Sequence, residues 1–269
     1  TLKDDVPIKN KLDEFVIKEI DKDKLYDFLR EMEFNRLLSQ AISFYGEPGE
    51  KSINNQVAFN KTSKVDTKQY KKILKEKELD KLVSDLNEKS IISVDTETSS
   101  LNPQEADLIG ISVSYAPNIS FYIPIGHKNV ISLKKDLIIK KLKPILEDES
   151  IKKVGQNIKY DFIIFKNEGI ELSPVDDTML LSYTLDAGNN RHNMNTLSEL
   201  HLGHKSISYK EIVGTGKKQL NFAEVDLKSA TEYAAEDADV TLRLYELFSE
   251  RVSKENLEKI YEIFEKPMI

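Results

Sequence analysis

The chain has 269 residues, 39% hydrophobic and 32% charged, with a formal net charge of −7 and no cysteine. That length can bury one large core, or one core with appendages, and the missing cysteines exclude disulfides, thiolate zinc sites and cysteine nucleophiles. The acidic balance argues against a broad basic face gripping duplex DNA, and without an apolar run of about 18 residues no membrane span is expected.

The opening TLKDDVPIKN carries no apolar core of a signal or transit peptide. It reads as a chain cut from a longer one. After an extended DVPI stretch, Leu25, Phe28, Leu29, Met32, Phe34, Leu37 and Leu38 follow helical spacing. Gly46 to Asn60, rich in Gly, Pro, Ser and Asn, reads as a flexible linker. Structure is expected to resume near Asp66, with Tyr70, Ile73 and Leu74 leading into a helix over ELDKLVSDLNE.

A β-rich block comes next. Ile91 to Val94 is a short β-branched run typical of a buried strand. Leu108 to Tyr115 and ISFYIPI both alternate, and Pro117-Asn118 between them predicts a hairpin. A helix is expected from Leu133 through Pro144, a strand at Lys153-Val154, and a helix from Ile158 to Glu168 closed by Gly169, with Asn157 as candidate N-cap. Further helical patterns cover 176–185, 194–202 and, most clearly, 226–253. Together these elements predict an α/β fold, a mixed sheet flanked by helices, with an N-terminal helical extension.

Four acids stand where their neighbours are apolar: Asp95 and Glu97 in VDTET, Asp161 in KYD, and Asp237 in YAAED. On a strand, Asp95 and Glu97 share one face while Val94 and Thr96 take the other. Asp161 falls in the first turn of its helix, about 60° from the stripe of Ile158, Phe162 and Phe165. On the 226–253 helix, Tyr233, Asp237, Val240, Leu244 and Leu247 fall within an arc of about 80°, while Glu232 and Asp239 point elsewhere. Asp237 therefore lies inside an apolar stripe, and no lysine or arginine shares that stripe. Gathered carboxylates in one interior resist ionisation unless cations neutralise them, so a site for two divalent metals is expected. The four histidines, 127, 192, 201 and 204, show no HxxxH pair. Oxygen ligands then favour Mg²⁺ or Mn²⁺, and such a site serves in-line attack on the phosphodiesters of nucleic acid. A local basic patch, Lys205, Lys210, Lys217 and Lys218 against Glu211, offsets the overall acidity.

These residues carry a resemblance. VDTETSSL, LIGISVSY, YIPIGH, KPILED, KVGQNIKYD, DDTMLLSYTLDA, RHNMNTLSE, EIVGTGK and YAAEDADVTLRL resemble the 3′–5′ exonuclease domain of bacterial family A DNA polymerases (DNA polymerase I), in the DEDDy group of RNase H-like nucleases. The resemblance implies an exonuclease domain over 67–255. It makes residues 1–45 the end of a 5′-nuclease domain without that domain's acidic site, 46–66 a linker, and 256–269 a truncated start of the polymerase domain. It implies Asp95 bridging two metals, Glu97 and Asp237 completing one shell, and Asp161 holding the other partly through water, with the ions about 3.5–4 Å apart. Tyr233 and Glu97 would orient the attacking water. Leu101 and Phe222 match apolar residues that wedge and stack on the last bases. Gln156, Asn157, Tyr160 and Arg191 match residues that contact the sugar–phosphate backbone. The implied substrate is a single-stranded 3′ end of DNA, released as 5′-mononucleotides in proofreading. The implied setting is a monomer in the bacterial cytoplasm, at the nucleoid, or in an organelle. Two rivals stand beside this reading: a ribonuclease D-like RNA 3′-exonuclease, and a catalytically silent spacer.

Overall fold

In the computed structural model, residues 20–32, 34–46, 64–216 and 219–269 are described, and the chain divides into two units, Thr1–Asn60 and Lys61–Ile269. The expected DVPI extension, most of the linker, and Lys217 and Lys218 lie outside the described residues. The expected single N-terminal helical pattern is two helices, α1 (Lys22–Glu31) and α2 (Asn35–Tyr45). Asp21 caps α1 by accepting from the Lys24 amide, and the Tyr26 hydroxyl donates to the Gly46 carbonyl at 2.6 Å, tying the end of α2 back to α1. Among the described residues no helix is long and apolar enough to cross a membrane.

In the second unit a six-stranded sheet has the order β1-β4-β3-β2-β5-β6. A short edge strand, β1 (Lys71–Lys72), precedes α3 (Glu76–Asn87). The central strands are β2 (Ile91–Thr98), β3 (Leu108–Ala116) and β4 (Ile119–Pro124), joined antiparallel through the expected hairpin. Asn118 adopts a positive φ of 65° at its turn, a conformation that asparagine tolerates. The chain continues through α4 (Lys135–Leu146), β5 (Lys152–Gly155), α5 (Lys159–Asn167), β6 (Val175–Asp177) and α6 (Thr178–Asp186). The short α7 (Met194–Leu197) and α8 (Tyr209–Val213) lead to the long α9 (Leu227–Lys254). β5 and β6 add to β2 in parallel.

Alternation along β2 divides the core. Ile92 and Val94 pack with Leu79, Leu82 and Leu86 of α3 and with Ile138, Leu142 and Ile145 of α4. The opposite face meets α9, where the Ser93 hydroxyl donates to the Ala238 carbonyl at 2.6 Å. Ala234, Ala235 and Ala238 are fully buried along that contact. Their small side chains bring the α9 backbone close to the sheet, and this close approach lets α9 side chains meet those of β2.

Candidate active site

Because Ser93, Asp95 and Glu97 share one face of β2, the two acids point towards α9 and meet Asp237. Each of Asp95, Glu97 and Asp237 offers a carboxylate oxygen, and these oxygens lie within 4.8 Å of one another. Glu97 is buried, with only 6% of its surface exposed, and its Oε1 has no hydrogen-bond partner among the described residues. Asp95 and Asp237 are partly buried beside it.

Asp161 arrives from the other side. β5 pairs with β2 only at Ile91, Ile92 and Ser93, so the remainder of that β2 edge is open. The Asp161 carboxylate fills the gap, accepting from the Thr96 amide at 2.9 Å and from the Thr96 hydroxyl. It is 3% exposed, deeper than its expected place at the boundary of the helix stripe. The reason is that Thr96, a strand partner no helical wheel contains, draws it inward.

Burial first, and then Asp161, Glu97 and Asp237, push the Asp95 pKa well above the carboxylate range. Glu97 is raised in the same way by burial, Asp237 and Asp161. Burial lifts Asp237 to about 7 against a hydrogen bond from Tyr233, and Asp161 to about 7 against the two Thr96 bonds. Among the described residues, none of the neighbours that perturb Asp95, Glu97 or Asp237 is a cation. Oxygen-only donors, an orphaned buried carboxylate oxygen and, among the described residues, no compensating lysine or arginine fit hard divalent cations. Burial, then Asp237, Glu97 and Asp95, raise the Tyr233 hydroxyl well above its ordinary value, so it stays a donor.

Asp95, Glu97, Asp161 and Tyr233 line a cleft of about 800 Å³. Leu101, 93% exposed, stands at its rim, and Gln156, Asn157, Tyr160, Asp161 and Tyr233 line it. Gln156 donates to the His192 carbonyl at 2.8 Å, and the Tyr160 hydroxyl is held between Thr98 and Ser100. Asn157 is not an N-cap. It has a positive φ of 57°, α5 begins after Ile158, and no side chain of its own helix end caps it. The capping comes from Asp177, whose carboxylate accepts from the Asn157 and Ile158 amides at 3.0 Å each. Two other residues depart from their expected setting. Phe222 is buried, 1% exposed, beneath the cleft rather than on its surface, and Arg191 is exposed and outside the lining.

Residues 70–253 match the family model described as 3′-5′ exonuclease, of the DNA polymerase A type. The chain belongs to this exonuclease family. The exonuclease chain is 41% identical to DNA polymerase I of Rhizobium leguminosarum, over 71% of its own length and 21% of the relative's. It is 39% identical to the Borreliella burgdorferi DNA polymerase I, over 74% and 21%, and 33% identical to that of Pseudomonas aeruginosa, over 100% and 30%. It thus spans less than a third of the length of these relatives. Brucella melitensis NrnC has a similar fold, with a TM-score of 0.54 and 24% identity over 68% of this chain and 82% of that one. Escherichia coli RNase D, an exoribonuclease, gives 0.54 and 18% over 71% and 48%. The expected RNase H-like sheet and the family resemblance both hold.

Further groups at the cleft do not stand out in the sequence. Tyr209 lines it, Thr96 orients Asp161, and Asp177, outside the lining, holds the start of the Asp161 helix. Tyr209 carried a signal, standing directly after Ser208 with Glu211 three residues beyond Ser208, a capping box that marks it as the first residue of a short helix.

Proposed function

We propose that this chain removes nucleotides one at a time from the 3′ end of single-stranded or frayed DNA, as the proofreading part of a longer family A DNA polymerase. The observation that carries the reading is the set of inward carboxylates, Asp95, Glu97 and Asp237, gathered without a cationic partner among the described residues. Relatives named DNA polymerase I at 33% to 41% identity support DNA over RNA as the substrate.

Two Mg²⁺ or Mn²⁺ ions, when bound, supply the positive charge that stabilises both the attacking and the leaving oxygen. Asp95, Glu97 and Asp237 would hold one ion, with Asp95 shared, and Asp161 would serve the other, its orientation set by Thr96. Tyr233 hydrogen-bonds Asp237 and keeps its proton, so it positions the attacking water together with Glu97 and does not act as a strong base. Gln156, Asn157, Tyr160 and Arg191 would contact the sugar–phosphate backbone, and Leu101 would wedge at the last bases. Base stacking without base recognition suits a strand end of any sequence. A mispaired end frays at lower cost, which makes the cleft selective for errors.

The domain assignment belongs to the same proposal: residues 1–45 from a 5′-nuclease domain, 46–66 a linker, 67–255 the exonuclease and 256–269 the start of a polymerase domain, in a monomeric cytoplasmic protein. Digestion of 3′-labelled against 5′-labelled single strands with and without Mg²⁺ tests it. Immediate release of the 3′ label as a mononucleotide, only with metal, is expected. Early release of the 5′ label, or faster digestion of a matched RNA strand, contradicts it.

A further inference from the structure

Asp161 reaches the acidic cluster from a helix whose first turn rests on one buried carboxylate. The turn from β5 into α5 is tight: a Cβ at Gly155 would come within 2.8 Å of Ile158, and Asn157 has a positive φ of 57°. The Asn157 and Ile158 amides both donate to Asp177 at 3.0 Å. Asp177 is fully buried and also accepts from the Met179 amide at 2.8 Å, so one side chain caps both α5 and α6. Asp161 follows Ile158 by three residues, less than one helical turn. Where Asp177 holds the helix start therefore sets where Asp161 points.

Asp177 ends β6, a three-residue strand at the edge of the sheet that pairs with β5. Its amide donates to the Tyr261 hydroxyl at 3.1 Å, and that hydroxyl donates to Asp176 at 3.1 Å. Tyr261 belongs to the helical turns over 258–268 and is buried in the same core as Leu180 and Leu181 of α6 and Leu244 and Phe248 of α9. Burial first, then Asp176, raise the Tyr261 hydroxyl above its ordinary pKa, so it keeps the proton that it donates. Lys266 of the same turns pairs with Asp176 at 3.0 Å, alongside Lys152 at 2.6 Å. Tyr261, Asp176 and Asp177 all lie outside the cleft lining.

Resting on the nuclease reading above, we propose that Tyr261 is a positioning residue for Asp161, acting through Asp177. Without the hydroxyl the buried Asp177 amide loses its acceptor, and the strand end and helix start that share this residue are free to shift. The hydrogen-bonded support behind a ligand governs how well the ligand holds its metal. The C-terminal turns thereby brace one half of the metal site. Asp95, Glu97 and Asp237 come from β2 and α9 and do not depend on that brace.

The test uses the full chain and a matched control, Tyr245→Phe. Tyr245 also donates to Asp176, at 3.2 Å, but its hydroxyl can be removed with the Asp177 amide still paired. Mn²⁺ is titrated by electron paramagnetic resonance with thymidine 5′-monophosphate present as a product, and amide exchange at Asn157 and Ile158 is followed by NMR. Tyr261→Phe is expected to weaken the looser Mn²⁺ site by about threefold to tenfold, the scale of one hydrogen bond, and to leave the tighter site within about twofold of the parent. The Asn157 and Ile158 amides should exchange faster in the same variant. Tyr245→Phe is expected to keep both Mn²⁺ sites within about twofold of the parent and the exchange unchanged. Parent-like Mn²⁺ binding and exchange in Tyr261→Phe overturns the assignment, as does equal weakening by Tyr245→Phe. A parent chain that takes up no Mn²⁺ overturns the nuclease reading and this inference together.

Discussion

Helix α9 places three acids within four residues, and their surroundings divide them sharply. Asp239 is fully buried, yet it accepts from Arg243 Nε at 3.1 Å, the Tyr70 hydroxyl at 2.7 Å and the Asn118 amide at 2.9 Å. Glu236, 2% exposed, has His204 and the Ile207 amide. At the β6 edge of the sheet Asp176 shows the same pattern: burial raises its pKa, but Lys152 at 2.6 Å and Lys266 at 3.0 Å outweigh that, and the net shift is downward. Among the described residues, Asp237 has the Tyr233 hydroxyl and two further acids. Buried acids that serve the fold come with donors that satisfy them. Asp237 comes instead with more acids, as the proposed chemistry requires. Burial alone does not separate the two kinds; partners do.

The comparison breaks first at single substitutions. Asp237→Ala is expected to lower the rate of single-strand hydrolysis by at least about a thousandfold, roughly 4 kcal/mol of barrier, while the melting temperature holds or rises because an uncompensated inward charge is gone. Asp239→Ala is expected to do the reverse. It removes the carboxylate paired with the buried Arg243 guanidinium and should cost about 3–5 kcal/mol of stability, a loss of roughly 2–4 °C per kcal/mol for a unit of this size, read by thermal melts. Equal destabilisation by the two variants would erase the distinction.

Proton linkage sharpens it. Asp161 and Asp237 sit at about 7 in the metal-free fold against an ordinary 3.8. Between those values the folded chain binds more protons than the unfolded one, so the stability these two groups contribute is complete below about pH 4 and is lost as pH rises through about 7. Melts of the metal-stripped chain should show this fall, Asp237→Asn should flatten it, and Mn²⁺ should restore stability above pH 7, where the ligands are deprotonated. A flat profile in the parent chain would mean the acids are satisfied by partners after all. The smallest effect is expected from Tyr233→Phe, about a tenfold drop in rate with the melting temperature unchanged, because the ring still packs against Tyr209 and Phe222. An unchanged rate would remove Tyr233 from the water-positioning role.

The sequence was readable wherever an element's signal lay within the element. The β3–β4 hairpin, α5 with its closing Gly169, and α9 with Asp237 inside its apolar stripe all follow from local pattern. Partners distant in sequence were not readable. The three-residue β6 owes its place to pairing with β5, and the two-residue β1 to pairing with β4. Asn157 has the residue type of an N-cap, but asparagine also tolerates a positive φ, and Asp177, 20 residues on, does the capping. Asp161 is drawn inward by Thr96, 65 residues earlier. Asp239 points away from Asp237, as the helical wheel gives, but towards a buried partner and not towards water. In the site the same division holds: acids stand out by type and spacing, whereas the aromatic layer of Phe222 under Tyr209 exists only once α8 lies over the cleft.

Anomalous diffraction from crystals soaked in Mn²⁺ tests the central claim most directly. Density bounded by Asp95, Glu97 and Asp237, absent from crystals of Asp237→Ala, is the expected result. A fully ordered acidic cluster that takes up no ion at saturating Mn²⁺ above pH 7 would contradict it.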